Sequence, residues 1–231
     1  MRNTNTKTIL SVLFNAVIAC EIVVMLCMGI ASGENLNSVG DHEVGANFFT
    51  AFTADSNILM GLCAAVRIFT DIRGLRDPGY TPPVWTDRFY HIGVSALALT
   101  FTVVVVFLSP QMELMGIGYF ALFRGTNFFH HLVNPLLAMA CFILLDRRRR
   151  LPVRQAWPGF VPALIYGVVY LLCVVVFRVW PDIYNFTLGG RYALVPFVMA
   201  AVYGLSYGLA CATAALHNIG IKTTDESDTK T

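Results

Sequence analysis

Six apolar stretches separated by short polar segments constrain this chain more than anything else in it: residues 9–32, 48–70, 90–109, 127–145, 158–177 and 189–216. At ~1.5 Å of rise per residue, each is about long enough as a helix to cross a hydrocarbon core of ~30 Å, the fourth only just. Inside lipid a backbone has to satisfy its own hydrogen bonds, so segments of this kind are helices. The reading is an all-α polytopic membrane protein. One six-helix transmembrane domain covers 1–217, and a disordered cytoplasmic tail rich in Thr, Asp and Lys covers 218–231. With 56% hydrophobic and 13% charged residues, nothing remains for a separate soluble domain.

Lys and Arg positions set the orientation. With the N-terminus inside, all but three of the 16 cations (Arg124, Arg178 and Arg191) fall on the cytoplasmic side. The first outer loop carries Glu34, Asp41 and Glu43 and no cation. Both termini are therefore expected in the cytoplasm, in a multi-pass protein of the plasma membrane, with Trp85, Trp157 and Trp180 at interface depth. The first stretch is too long for a signal-peptide core, is interrupted by Glu21 and lacks an A-x-A site, so it reads as an anchor. The six cysteines fall inside the stretches with no CxxC spacing, which points to neither a disulfide framework nor zinc. A net charge of +2 reflects the orientation bias and implies lipids, not nucleic acid, as partners. The run Arg147–Arg150 reads as a stop-transfer anchor able to hold anionic head groups. Gly204-x-x-x-Gly208-x-x-x-Ala212 is a ridge for close helix approach, within the bundle or in a homodimer. The glycine-broken segment 111–126 is expected at the outer interface or partly re-entrant.

Polar side chains at membrane depth are costly and usually face the protein interior. Counted from the cytoplasmic end, Glu21 comes out at about 18 Å, Asn57 and Asn134 at about 18–20 Å, His131 at about 22 Å and Thr53 at about 25 Å. The polar groups thus gather in the outer half, and the inner half is expected to be nearly all apolar. On the second stretch Thr53, Ser56, Asn57 and Met60 form one stripe, from which Asp55 points away. On the fourth, Asn127, His131, Asn134 and Pro135 share a face, with His130 turned about 100° aside. Pro135 is expected to free the carbonyl of His131 and kink the helix there.

A hydroxyl and an imidazole at similar depth have the parts for nucleophilic catalysis, because a threonine needs a base to take its proton and histidine suits that task. Ser56 or Asn57 could then donate to the developing oxyanion. The same residues read equally as interhelical hydrogen-bonding pairs with no chemistry at all.

The segments FFTAFTADSNILMG and FFHHLVNPLLA resemble those of bacterial six-span membrane proteins with FT-x-x-SN opening span two and H-x-x-x-P in span four. More distantly, they are similar to the eukaryotic androgen-induced-gene family and its relative, the androgen-dependent regulator of tissue factor pathway inhibitor. That resemblance implies an intramembrane threonine hydrolase of fatty-acid esters of hydroxy fatty acids, with Thr53 as nucleophile, His131 as base and a lipid ester as substrate. The eukaryotic spacing puts Asn where this chain has Ser56 and selects His130 rather than His131, and Thr50 is a rival for Thr53. These alternatives stay open on the sequence.

Other classes are constrained by the same residues. Five histidines, only His130 and His131 of them well inside a stretch, exclude a histidine-box di-iron site and a paired haem, so no cofactor and no metal is implied. A zinc ion shared by His130, His131 and Glu113 or His42 is disfavoured because adjacent histidines on a helix diverge. A small proton-coupled transporter built on Glu21, Asn57 and Asn134 is the rival reading, and an accessory membrane protein is a third.

Overall fold

The computed structural model describes residues 2–32, 50–146, 148–219 and 221, with the side chains of 2–4 and 29–32 outside that description. All regular structure among these residues is helical. Helix α1 (Arg2–Ser32) is followed by α2 (Phe52–Arg76). Helix α3 (Val84–Val103) runs through a π-helical turn (Val104–Leu108) into α4 (Ser109–Leu114), and a 3-10 turn (Tyr119–Phe123) comes next. The fourth apolar stretch is a π turn (Phe129–Val133), α5 (Asn134–Ala140) and a second π turn (Cys141–Leu145). Helix α6 (Val161–Leu171) ends in a π turn (Leu172–Val176), and α7 (Val195–Asn218) closes the bundle.

Four helical segments are long and apolar enough to cross a bilayer by length and composition: Asn5–Met28, Val84–Leu114, Trp157–Val176 and Tyr192–Asn218. Phe129–Leu145 is apolar but shorter. Helix α2 is long enough, yet it carries Asp55, Arg67, Asp71, Arg73 and Arg76 and is the least apolar of the long helices. Large apolar side chains cover the outside of the bundle. Leu13, Leu62, Phe69, Phe107, Ile165 and Phe197 are each more than half exposed. In water such a surface would be a continuous association patch, whereas hydrocarbon is a matching solvent for it. The apolar helices and their apolar outer surface are compatible with an integral membrane protein.

The core lies where α1, α2 and α3 meet the fourth stretch, around Ile22, Met60, Tyr90, Val94, Leu97 and Phe142. Two glycines allow the close approach. A β-carbon at Gly93 would lie 2.9 Å from Cys63 Sγ, and one at Gly159 would lie 2.6 Å from Ser95 Oγ and 2.8 Å from Ala210 Cβ. By contrast, a β-carbon at Gly204 or Gly208 would meet none of the described residues within 4 Å, so the small-residue ridge of α7 faces outward.

The end of α2 distal to Thr53 departs from the expected apolar inner half. Arg67 is 2% exposed and lies 3.3 Å from Asp71, 3.1 Å from Asp87 and 2.7 Å from Asp146. Its guanidinium also sits 5.4 Å from the centre of the Tyr90 ring. Arg148 pairs with Asp71, and Arg149 reaches Asp87 and the Pro82 carbonyl. The arginine run is therefore partly folded into a buried ionic network and is more than a solvated anchor. Three carboxylates from α2, from α3 and from the end of the fourth stretch make this possible, since a buried cation is tolerated only when paired and hydrogen-bonded. His91 and His217 are buried there too. His91 Nε2 lies 3.1 Å from the Ala210 carbonyl oxygen, and His217 stacks on Phe142 at 4.2 Å.

Segment 111–126 divides in two. Its first part prolongs α3 through α4. Its second is the 3-10 turn, flanked by Gly116, Gly118 and Gly125 at φ of 75°, 103° and 58°, values that other residues rarely adopt. Ala121 and Leu122 are buried beneath this turn while Phe120 faces out. The expected anionic loop with His42 (33–47) and the tail beyond 221 lie outside the described residues.

Candidate functional site

The two histidines owe their burial to the π turn. There the amide of Asn134 bonds to the Phe129 carbonyl, five residues back. Pro135 has no amide to offer. The His131 carbonyl has no amide four residues on, and with the Asn134 amide turned to Phe129 the His130 carbonyl loses its α-helical donor as well. Asn57 Nδ2 supplies a donor to it at 3.3 Å. Such single π turns recur at functional sites because they re-aim side chains without ending the helix. Here His130 turns toward α1 and His131 toward α2, and both are buried.

His131 joins Thr53 to the 3-10 turn. Its Nδ1 is 2.6 Å from the Leu122 carbonyl oxygen, and its Nε2 is 3.4 Å from Thr53 Oγ1. A carbonyl can only accept, so Nδ1 carries the hydrogen and the lone pair of Nε2 faces the threonine hydroxyl. Phe123 stands edge-on to the imidazole with ring centres 6.4 Å apart. The order is hydroxyl, base, orienting acceptor, the logic of a catalytic triad with a main-chain carbonyl in third place. The 3.4 Å separation is a loose contact of the kind that tightens when substrate binds.

The other polar residues form a closed ring beside this pair. His130 Nε2 lies 2.9 Å from Glu21 Oε1. Glu21 Oε2 accepts from Asn134 Nδ2 at 2.7 Å, which also donates to Asn57 Oδ1 at 2.9 Å. Asn57 Nδ2 then donates to the Thr53 carbonyl at 2.8 Å and returns to His130 as described. The ring ties α1, α2 and the histidine turn together and fixes the register of Thr53 against His131. Ser56 is committed elsewhere, 2.8 Å from Thr100 Oγ1 and 3.1 Å from the Thr53 carbonyl oxygen. Neither Ser56 nor Asn57 has a donor free for an oxyanion here: both are spent on holding helices. Thr50, the rival nucleophile, is buried in the turn before α2, with its carbonyl accepting from Tyr166 OH at 2.7 Å.

Thr53 also lines a cavity of about 500 Å³ enclosed by α2, α3, α6, α7 and the loop between α6 and α7. Its walls are mostly apolar, including Phe52, Leu99, Val103, Tyr166, Tyr184 and Leu205. That size is ordinary for a small-molecule or lipid-tail site. A second, more open groove of about 650 Å³ runs between α2 and α6 from Trp157 to Trp180, and the Asp55 side chain lines it. Asp55 thus points away from Thr53. Glu21, His130 and Asn134 border neither space. Among the described residues no three His, Cys, Asp or Glu side chains gather as metal ligands.

Two members of this site escape sequence reading. Leu122 contributes only a carbonyl, so its residue type carries no signal. Tyr184 lies in a loop far along the chain, outside every periodic pattern the sequence offers. No family model, curated protein or solved structure matches this chain.

Proposed function

We propose that this protein is an intramembrane hydrolase of lipid esters, with Thr53 as nucleophile and His131 as general base. One observation carries the reading: the Thr53 hydroxyl sits between an oriented imidazole lone pair and the wall of an apolar cavity. In the reaction Thr53 Oγ bonds to the ester carbonyl carbon while its proton passes to His131 Nε2. The carbonyl electron pair moves onto oxygen. Collapse restores the C=O and expels the alcohol oxygen, which takes the proton from His131. Water then repeats the sequence on the acyl-threonine and releases the acid. The apolar cavity suits the fatty chain of a lipid ester, and the motif resemblance narrows the class to fatty-acid esters of hydroxy fatty acids.

The carrier reading is less favoured because Asn134 Nδ2 ties Glu21 to Asn57, and because Glu21 and Asn134 border neither large cavity. The test is labelling with a fluorophosphonate, which marks activated hydroxyls and not transport sites. Wild-type protein in membranes should be labelled and Thr53→Ala should not. Equal labelling of both would defeat the assignment.

The same reading has all six stretches spanning a plasma membrane with both termini inside, supported by the Lys and Arg distribution. A cysteine at position 150 should then react with an impermeant maleimide only after permeabilisation. Labelling of intact cells at that position would reverse the orientation.

A further inference from the structure

The hydrolase reading leaves one part of the chemistry without a residue: Ser56 and Asn57 are both committed, so nothing on the Thr53 stripe meets the oxyanion. We propose that Tyr184, from the loop between α6 and α7, is a further catalytic residue that donates its hydroxyl proton to that oxyanion. The inference rests on the hydrolase reading and deepens it.

Tyr184 and Thr53 line the same cavity. The Tyr184 oxygen accepts the Phe52 amide at 3.0 Å, at the first residue of α2 and next to Thr53. With its oxygen already accepting from the backbone, the hydroxyl keeps its proton for another acceptor. The hydroxyl of Tyr166 interacts with that of Tyr184 and donates its own proton to the Thr50 carbonyl, so its oxygen is the resting acceptor that the oxyanion replaces. The phenol also sits at the positive end of a 25-residue helix, whose dipole strengthens it as a donor and favours negative charge beside it. Burial pushes the Tyr184 hydroxyl up to about 12, so it remains protonated throughout the neutral range.

The loop is built to hold this ring still. Asp182 accepts from Tyr170 OH at 3.0 Å and from the amides of Phe186 and Thr187 at 2.9 Å each. The Tyr184 amide donates to Tyr170 OH at 3.2 Å, and Phe186 stacks on the Tyr184 ring at 5.2 Å. Asn185 and Leu188, which border the same cavity, adopt φ of 52° and 50°. A leucine in the left-handed region is costly and persists only where the surroundings over-determine it, a pattern that clusters at functional sites. A rigid donor aimed at the place where charge develops is what oxyanion stabilisation requires.

The experiment uses the full chain in lipid nanodiscs with a medium-chain p-nitrophenyl ester. Tyr184→Phe keeps the ring and removes the hydroxyl, and it should lower kcat on the order of 10²-fold with KM little changed. Affinity for an alkyl trifluoromethyl ketone, which captures Thr53 as a tetrahedral adduct, should fall by the same factor. Affinity for an alkyl alcohol of equal length should not move. A purely structural role would weaken both ligands together. A second variant, 3,5-difluorotyrosine at 184, keeps the fold and the donor but ionises at lower pH. Its activity should fall at an alkaline pH where the wild type still works, because the ionised phenol cannot donate. Unchanged kcat in Tyr184→Phe, or a wild-type pH profile in the fluorinated variant, overturns the assignment. Thr53→Ala separates the two ideas. If it is inactive while Tyr184→Phe is fully active, only the tyrosine assignment fails, and if it retains full activity, the hydrolase reading fails and the tyrosine assignment with it.

Discussion

Thr53→Ala and His131→Ala should each lower ester hydrolysis on the order of 10³-fold or more, and the double variant should be hardly slower than either single one. The reason is that the two side chains act as a unit across one contact. Without the imidazole the hydroxyl keeps its proton, and without the hydroxyl the imidazole has nothing to activate. Thr50→Ala is the matched control, since that residue is tied to Tyr166 through its backbone carbonyl, which the substitution leaves in place. His130→Ala tests a different role. It breaks the ring through Glu21 and should lower thermal stability while leaving some turnover, because His131 keeps its own acceptor at Leu122. Steady-state kinetics on membrane-reconstituted protein would decide the matter. Multiplicative losses in the double variant would mean that Thr53 and His131 contribute separately, contrary to the mechanism.

Much of the architecture could be read from the sequence because lipid leaves a helix few alternatives. All six apolar stretches are mainly helical where described, and the Thr53–Ser56–Asn57 stripe and the His131–Asn134 face do meet. The boundaries and the fine register were less legible. The third stretch begins at Val84 and continues to Leu114, well past the expected limits, because a π turn carries the helix onward. Pro135 marks the His131 carbonyl by α-helical spacing, and the π turn adds that of His130, which accepts from Asn57. Periodicity arguments assume a constant 3.6 residues per turn and cannot see such an insertion. The oxyanion donors were sought on the Thr53 stripe because sequence analysis sees faces, not commitments. Ser56 proved to be engaged with Thr100, whose register relative to α2 no local pattern encodes. The ionic network was missed for a related reason. Arg67 reads as one of the cytoplasmic cations, and nothing in the spacing of Asp71, Asp87 and Asp146 says that all three converge on it.

That network carries the largest stability effect expected in the molecule. Arg67→Ala leaves Asp71 and Asp146, 0% and 3% exposed, beside the partly buried Asp87 without the cation at their centre. Breaking a buried pair from one side costs about 3–5 kcal/mol, because the remaining charge loses its partner and gains no water. Arg148 keeps Asp71 and Arg149 reaches Asp87, but neither guanidinium pairs with Asp146, so they cannot take over the central position. Arg67→Lys should recover only part of the loss, since a single ammonium cannot face three carboxylates as a planar guanidinium does. If the cost arises from uncompensated charge, then adding Asp71→Asn and Asp146→Asn to Arg67→Met should be milder than Arg67→Ala alone. Thermal unfolding in nanodiscs would measure each step, and an Arg67→Ala protein that melts with the wild type would show that the network contributes nothing. Position supplies the decisive contrast. Arg67 lies 14 residues along α2 from Thr53, or about 21 Å at 1.5 Å per residue. Loss of the network should therefore reduce the amount of folded protein while leaving turnover per folded molecule, and the fluorophosphonate reactivity of Thr53, as they were.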